Sequence, residues 1–360
     1  MIVCYLIGRF PPVYCTETTV EILKSKELIK RGHIIYFITP RFDRKHPQFE
    51  KHEGINVIRV FPPLKGPISE LFYVLNSFLK IISLKIKPDL VVDVIPFGIS
   101  MLITRLFSKI LGIPVVARLT QSGSNEPFSA MKGKFSFIKR NLFSTYNKII
   151  AISPDLYKNC QQAGISDDKI KLIPNCVDSD RFAPLENDRK AELRNQLFPN
   201  LRGGIVTVVG AVSKRKRAHL AIEAWNVLKS KYTEPATLVF VGPVKSTGQP
   251  FDNEYVDHLN ENINQYGLED TVIFTGYQKN VHEYFQVSDI TLFVSEREGL
   301  PGVVLQSMAS GIPIVTTNME NITEYMLTNC IEGFKSSDDP YEISENMITL
   351  LSNPSLRKNM

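Results

Sequence analysis

Apolar and polar positions alternate along this chain at two periods, one of strands and one of helices. Short apolar or β-branched runs occupy residues 2–7, 34–38, 56–60, 90–94, 114–118, 148–152 and 170–173. Between several of them lie helix-length amphipathic segments such as Glu17–Arg31 and Ser69–Lys85. The pattern then restarts, with runs at 205–210, 237–241, 271–275, 290–294 and 312–316. Strands that are apolar throughout need cover on both faces, and intervening helices supply it, so each series predicts a doubly wound, Rossmann-like α/β domain with a parallel sheet. The turn-rich, charged stretch from Ala183 to Gly204 reads as the connection, which gives domains at 1–182 and 183–360. Two such domains are expected to face one another across a cleft. Open α/β sheets bind ligands at the carboxyl ends of their strands, so chemistry is sought just after strands.

Composition narrows this picture without redirecting it. With 360 residues, 43% apolar and 22% charged, the chain is neither disordered nor of low complexity and has room for two packed domains. Its opening, MIVCYLIG, passes at once into Arg9 and Pro11-Pro12, too short and too quickly polar for a signal peptide or a membrane span. It reads as a buried first strand. Five widely spaced cysteines (Cys4, Cys15, Cys160, Cys176 and Cys330) with no C-x-x-C pair predict neither a disulfide framework nor a zinc site, and a reducing cytoplasm fits. The six histidines lack any metal-ligand spacing. Charge changes the picture more. Residues 1–180 hold 25 Lys/Arg against 15 Asp/Glu, a balance of +10, whereas residues 181–360 hold 17 against 22, a balance of −5. Such asymmetry marks either a face that meets an anionic surface or basic side chains that are merely solvated.

The stretch SEREGLPGVVLQSMASGIPIVTT, residues 295–317, follows the predicted strand 290–294. Pro301 suits the first turn of a helix and Gly311 its C′ position, so 301–310 reads as a short helix whose first N–H groups face the strand ends. Free amides and the positive end of the helix dipole favour an anion such as phosphate. Glu298, just before this helix, is suited to accept hydrogen bonds from hydroxyls, as on a sugar. A capped core helix with solvated acids is the plainer alternative. The basic run KRKR at 214–217, after the strand 205–210, reads by itself as a solvated face at a helix start.

The chain resembles the family 4 retaining glycosyltransferases, which have the GT-B fold. The likeness lies in GYQKNVHEYFQVSDITLFVSEREGLPGVVLQSMASGIPIVTTNMENITEYM (276–326) and AISPDLYKNCQQAGISDDKIKLIPNCVDSDRF (151–182), and extends from RFPP and ELIKRGHIIYFIT to GAVSKRKRAHLAIEAW. It implies an acceptor-binding first domain and a second domain that binds a nucleotide diphosphate sugar. In such a site Glu298 holds the hydroxyls of the donor sugar, and Lys216 and the amides of Gly299, Leu300, Pro301 and Gly302 surround its diphosphate, Pro301 contributing only its backbone shape. Gly276, Tyr277 and Glu324 are placed on the nucleotide side, Glu324 having helix capping as its alternative. Three positions depart from the family pattern. Gln306 stands where a second glutamate would take the ribose hydroxyls. Ala211 stands at an arginine position, so Arg215 or Arg217 is a candidate for the guanidinium, with Arg215 preferred. Tyr14, Cys15 and Thr16 replace a glycine pair. Arg118 or Thr120 occupies the neighbourhood of a family histidine, and no general base is named.

The resemblance implies transfer with retention of configuration and without a metal or cofactor; the nucleotide sugar is a substrate. Asp178-Ser179-Asp180 reads as a turn closing the first domain and not as a metal-binding D-x-D. The segment FSAMKGKFSFIKRNLFSTYNK, residues 128–148, interleaves Phe128, Phe135, Phe137, Ile138 and Phe143 with Lys132, Lys134, Lys139 and Arg140. With the basic first half, it fits either an anionic membrane surface beside a glycan or lipid-linked glycan acceptor, or an ordinary amphipathic helix covering the sheet. The partners expected are thus a nucleotide sugar, such an acceptor and a membrane at the cytoplasmic side, with no nucleic acid. Residues 71–86 are more apolar and are expected to be buried. After LLSNPSLRKNM the family continues into a helix that crosses back onto the first domain. A non-catalytic sugar-nucleotide-binding partner subunit with a degenerate donor site is the alternative, and a sugar-nucleotide epimerase would need acid and base groups that are not found.

Overall fold

The computed structural model describes residues 1–12, 16–60, 67–94, 100–120, 141–244 and 253–360. Tyr14, Cys15 and most of the 128–148 segment lie outside them. The chain divides into two compact units, Met1–Cys176 and Val177–Met360.

The first unit is an eight-stranded sheet in the order β3-β4-β2-β1-β5-β6-β7-β8. Its strands are β1 (Ile2–Leu6), β2 (Ile34–Pro40), β3 (Phe49–His52), β4 (Ile55–Val60), β5 (Leu90–Asp93), β6 (Val115–Leu119), β7 (Lys148–Ala151) and β8 (Ile170–Leu172). All pair in parallel except β3, which returns antiparallel on β4 through Glu53-Gly54, both with positive φ. Two such residues form the hairpin turn that matches strand twist. The apolar runs predicted the parallel strands; β3, sequence FEKH, is half exposed at the sheet edge and has no apolar signal. Helix Thr16–Lys30 packs over β1, β2 and β4 around Tyr5, Ile7, Phe37 and Val57.

The second unit is a six-stranded parallel sheet in the order β11-β10-β9-β12-β13-β14. Its strands are β9 (Gly204–Val209), β10 (Ala236–Val241), β11 (Val272–Phe274), β12 (Ile290–Phe293), β13 (Ile314–Thr317) and β14 (Gly333–Ser336). Helices Ala218–Lys231, Asn253–Gln265 and Pro340–Ser352 pack around Trp225, Leu228, Leu259 and Met347. Trp225 is fully buried, with its indole N–H donated to Thr271 Oγ1 at 3.2 Å. Chain order runs outward from β9 to β11, then returns to β12 beside β9. The switch point of this sheet therefore lies between β9 and β12.

Three expectations need correction. The stretch 183–204 is more than a connection, because it contains the helix Asn187–Leu197, whose Leu193 and Leu197 pack on the second core. The division falls after Cys176, since Val177 and Phe182 also join that core. Residues 71–86 are not buried throughout: Val74, Phe78 and Ile81 face inward, while Phe72, Leu79, Ile82 and Leu84 are exposed. A helix laid on a sheet buries one stripe, and this one is apolar on both sides. Within 128–148, the described end turns inward, with Leu142, Phe143 and Tyr146 buried.

Candidate active site

The loops that follow β9 and β12 meet at the switch point, and the sequence-predicted residues meet there with them. After β9 the chain turns through Gly210 and forms a single 3-10 turn, Lys214–Lys216. Arg217, in the left-handed region at φ +50°, ends that turn and begins the helix Ala218–Lys231. After β12 the loop 294–301 leads into the helix Gly302–Ala309. Pro301, at ψ 110°, precedes this helix instead of opening it, and Gly311 closes it at φ +67°.

Two carbonyl contacts stitch these loops together. The N–H of Glu296 donates to Arg215 O at 3.0 Å, and Arg215 Nη1 donates to Arg297 O at 2.9 Å. The side chains then converge on Glu298. Its Oε1 accepts Lys216 Nζ at 2.6 Å and Arg215 Nη1 at 2.8 Å. Glu298 and Lys216 are mostly buried, whereas Arg215 is exposed. Lys216 Nζ also lies 5.6 Å from the centre of the Phe293 ring. Both cations share Oε1, so Oε2 of Glu298 has no hydrogen-bond partner among the described residues and remains an acceptor. The N–H groups of Gly302 and Val303 likewise donate to no described group, and nothing lies within 4 Å of where a Gly302 side chain would begin.

The run KRKR is fully engaged, which corrects its reading as a merely solvated face. Lys214 lies 5.9 Å from the centre of the Tyr255 ring, and Arg217 pairs with Asp338 at 2.6 Å. With Arg215 and Lys216 on Glu298, each of the four cations has a partner, and only two point to the loop after β12. Arg217 is therefore not the substitute for a guanidinium at Ala211; of the two candidates, Arg215 adjoins Glu298.

A row of glycines carries this arrangement across the neighbouring strands. The N–H of Gly242, after β10, donates to Gly276 O, after β11, at 3.0 Å. A side chain on Gly242 would meet Gly210 O at 2.1 Å, and the Lys216 side chain lies against Gly210. Gly276 is thus joined to Lys216 through Gly242 and Gly210. Sequence reading selected Gly276 and missed the other two, although β9, β10 and β11 share a legible ending in VVG, FVG and FTG.

The other predicted residues are less closely engaged. The Gln306 side chain, one turn into the helix Gly302–Ala309, hydrogen-bonds to no described residue, so its carbonyl and amide are both available. Tyr277 is exposed, and Glu324 is exposed on the short helix Thr323–Met326 after β13. Glu324 does not cap that helix, whose start has no side-chain cap; Thr323 Oγ1 accepts the N–H of Met319, ahead of the helix, at 2.7 Å. In the first unit, Arg118 is buried with its Nε 2.7 Å from Glu21 Oε1 and its Nη2 donating to Asn175 Oδ1 at 2.6 Å. That pairing holds the Arg118 guanidinium inside the first unit. Beside it, burial pulls the Lys24 ammonium below its ordinary value, against the upward pull of Glu21. Asp178 accepts the N–H of Arg181 at 3.2 Å and closes a turn. Among the described residues no three His, Cys, Asp or Glu side chains are placed to hold a metal ion.

Known proteins share this arrangement of the chain. A profile described as "Glycosyl transferases group 1" matches residues 189–360, and one described as "Glycosyltransferase Family 4" matches residues 22–181. The chain belongs to the family 4, group 1 glycosyltransferases. Among its relatives, the N-acetyl-alpha-D-glucosaminyl L-malate synthase of Bacillus anthracis is 23% identical over 93% of this chain and 84% of its own. The UDP-Gal:alpha-D-GlcNAc-diphosphoundecaprenol alpha-1,3-galactosyltransferase of Escherichia coli is 22% identical over 64% of this chain and 58% of its own. A solved structure of Anabaena HepE in complex with UDP-glucose superposes with a TM-score of 0.76 at 18% identity, over 100% of this chain and 93% of that one. At that identity the likeness establishes the fold, which is GT-B. The protein is a glycosyltransferase.

Proposed function

We propose that this glycosyltransferase moves a sugar from a nucleotide diphosphate donor to a glycan or lipid-linked glycan with retention of anomeric configuration, at the cytoplasmic face of a membrane. One observation carries the donor reading: Glu298 meets Lys216 and Arg215 at the switch point between β9 and β12, with Oε2 unbonded among the described residues. Ligands of open α/β sheets bind at such a point. Glu298 accepts hydroxyls of the donor sugar through Oε2. Lys216, Arg215 and the N–H groups of Gly302 and Val303 hold the diphosphate, helped by the positive end of the helix dipole. Gln306 takes a ribose hydroxyl through its side-chain carbonyl.

These groups serve the transition state more than the ground state. As the bond between the anomeric carbon and the phosphate oxygen breaks, the sugar becomes cationic and negative charge builds on the leaving diphosphate. Fixed cations and amides stabilise that charge without reorganising. The acceptor hydroxyl attacks from the same face of the sugar, and its proton passes to the departing phosphate oxygen. No protein base is required by this route. The lipid-linked acceptor draws support from the diphosphoundecaprenol-linked substrate named for the Escherichia coli relative.

Lys216→Ala tests the diphosphate contact. Losing a charge-assisted hydrogen bond weakens binding by roughly 10- to 100-fold, so calorimetric titration with nucleoside diphosphates is expected to show that loss. Affinity within about twofold of wild type would remove Lys216 from the site. Retention is read from the anomeric proton coupling of the product by NMR: the donor's configuration is expected, and an inverted product contradicts the same-face route. Activity in excess chelator is expected to match that without it, and its loss would contradict metal-independent transfer.

A further inference from the structure

The helices Pro67–Ser83 and Ser100–Leu111 pack side by side in the first unit, with Phe78 and Phe107 stacked at 4.8 Å between centroids and 4° between planes. Each buries one stripe: Val74, Phe78 and Ile81 on the first helix, Met101 and Thr104 on the second. Each also leaves an apolar stripe in solvent. Phe72, Leu79, Ile82 and Leu84 on one, and Leu102, Leu106 and Ile110 on the other, are between 40% and 65% exposed.

Helical spacing joins these side chains into one face. Ile82 lies four residues beyond Phe78 and Leu79 three before Ile82; Ile110 lies three beyond Phe107 and Leu106 four before Ile110. Residues so spaced are neighbours on a helix surface, so the two stripes meet along the Phe78–Phe107 stack. Single exposed apolar residues need no explanation, but a continuous face of this kind marks an interaction surface.

Charge says what covers it. Residues 67–87 and 100–112 contain five Lys/Arg and a single Asp/Glu, Glu70. Of these, Lys85, Lys87, Arg105 and Lys109 are exposed beside the apolar stripe, while Lys80 lies 4.9 Å from the centre of the Phe49 ring. The first helix leads from β4 to β5 and the second from β5 to β6, all parallel strands, so their C-terminal ends, with Lys85, Lys87 and Lys109, lie at the same end of the sheet. A second copy of this face carries the same excess of cations and brings little acid to offset it. An anionic bilayer offers acyl chains to the stripe and lipid phosphates to the cations. No helix among the described residues is long and apolar enough to cross a membrane, so the contact is one of lying on the surface.

We infer that the outer face of helices 67–83 and 100–111 docks on an anionic phospholipid bilayer. It extends the reading of a lipid-linked acceptor, on which it rests for its purpose only. It places a membrane contact outside the 128–148 segment, for which the sequence left open a membrane surface or an ordinary amphipathic helix.

Flotation with vesicles tests the inference without nucleotide or turnover, so its failure is separable from failure of the donor site. The full chain is expected to float with vesicles of phosphatidylglycerol and phosphatidylcholine, less so in high salt, and to stay behind with phosphatidylcholine alone. Leu106→Ser with Ile110→Ser, and separately Arg105→Glu with Lys109→Glu, are each expected to lower partition at least about tenfold. All four side chains are exposed, and an unchanged melting temperature in each variant confirms that folding is intact. The inference is overturned by a wild-type chain that ignores anionic vesicles, or by variants that bind as wild type does. It is also overturned if sedimentation reveals a dimer that the serine variant dissociates, because the face then serves a second copy.

Discussion

Glu298→Ala is expected to lower turnover by roughly 10²- to 10³-fold, the usual cost of removing one group that is preorganised for a transition state. Stability should hardly move. The lost ion pairs lie at the mouth of two loops, with Arg215 half in solvent, and exposed or partly exposed pairs of this kind contribute about 1 kcal/mol or less. For a unit of this size that is a drop of about 2–4 °C in melting temperature. The two effects separate function from folding because Glu298 is surrounded by loop and packs into no core. Glu298→Gln keeps an acceptor for the sugar hydroxyl and loses the anion that places Lys216 and Arg215, so its turnover should fall between wild type and alanine. Initial rates at saturating donor, beside thermal melts, decide the matter. Turnover of the alanine variant within about threefold of wild type removes Glu298 from the reaction.

Gly242→Ala is expected to show the opposite pattern, a large loss of stability together with loss of donor binding. A Cβ at this position would lie 2.1 Å from Gly210 O and 2.5 Å from Gly210 C, and both are backbone atoms that no side-chain rotation can move. The residue also sits at φ +153°, where only glycine is unstrained. The end of β9 would have to shift, and Gly210 carries the contact to Lys216. Backbone displacement between central strands of a sheet belongs to the severe tail of single substitutions, about 3 kcal/mol or more. Urea unfolding measures the loss, and calorimetric titration with nucleoside diphosphates measures the second effect. A variant within about 0.5 kcal/mol of wild type would show that the two turns are not held as tightly as their distances indicate.

The residues that were legible in the sequence share a physical reason. Continuous apolar runs such as IVTVV and ATLVFV can only be strands covered on both faces, so their order alone specified two parallel sheets. Strand β3 escaped because FEKH is short, polar and half exposed at a sheet edge, and β14 because GFKS is short and has a single large apolar side chain. The loop EGLPG was legible because proline and glycine punctuate a helix start and stop. The pairing of Glu298 with Lys216, 82 residues away, was not, because it depends on β9 and β12 becoming neighbours at the switch point. The same limit hid the partner of Arg217 in Asp338 and that of Arg118 in Glu21. Composition misjudged the helix 67–83 for a different reason: apolar residues on every side imply burial in something, and sequence cannot say whether that is protein. Gln306 keeps a side chain free to bond, so the departure at that position alters one contact and leaves the rest of the site assembled.

The central claim is that the strand ends of β9 and β12 bind the diphosphate of a sugar nucleotide, and a thermal-shift screen of the full chain over nucleoside diphosphates and nucleotide sugars tests it most directly. A ligand at a hundred times its dissociation constant stabilises the folded state by about 2.7 kcal/mol, or about 5–10 °C for a unit of this size. Such a rise is expected with at least one nucleotide, reduced or abolished in Lys216→Ala. No rise with any nucleoside diphosphate or nucleotide sugar, or an equal rise in that variant, would contradict it.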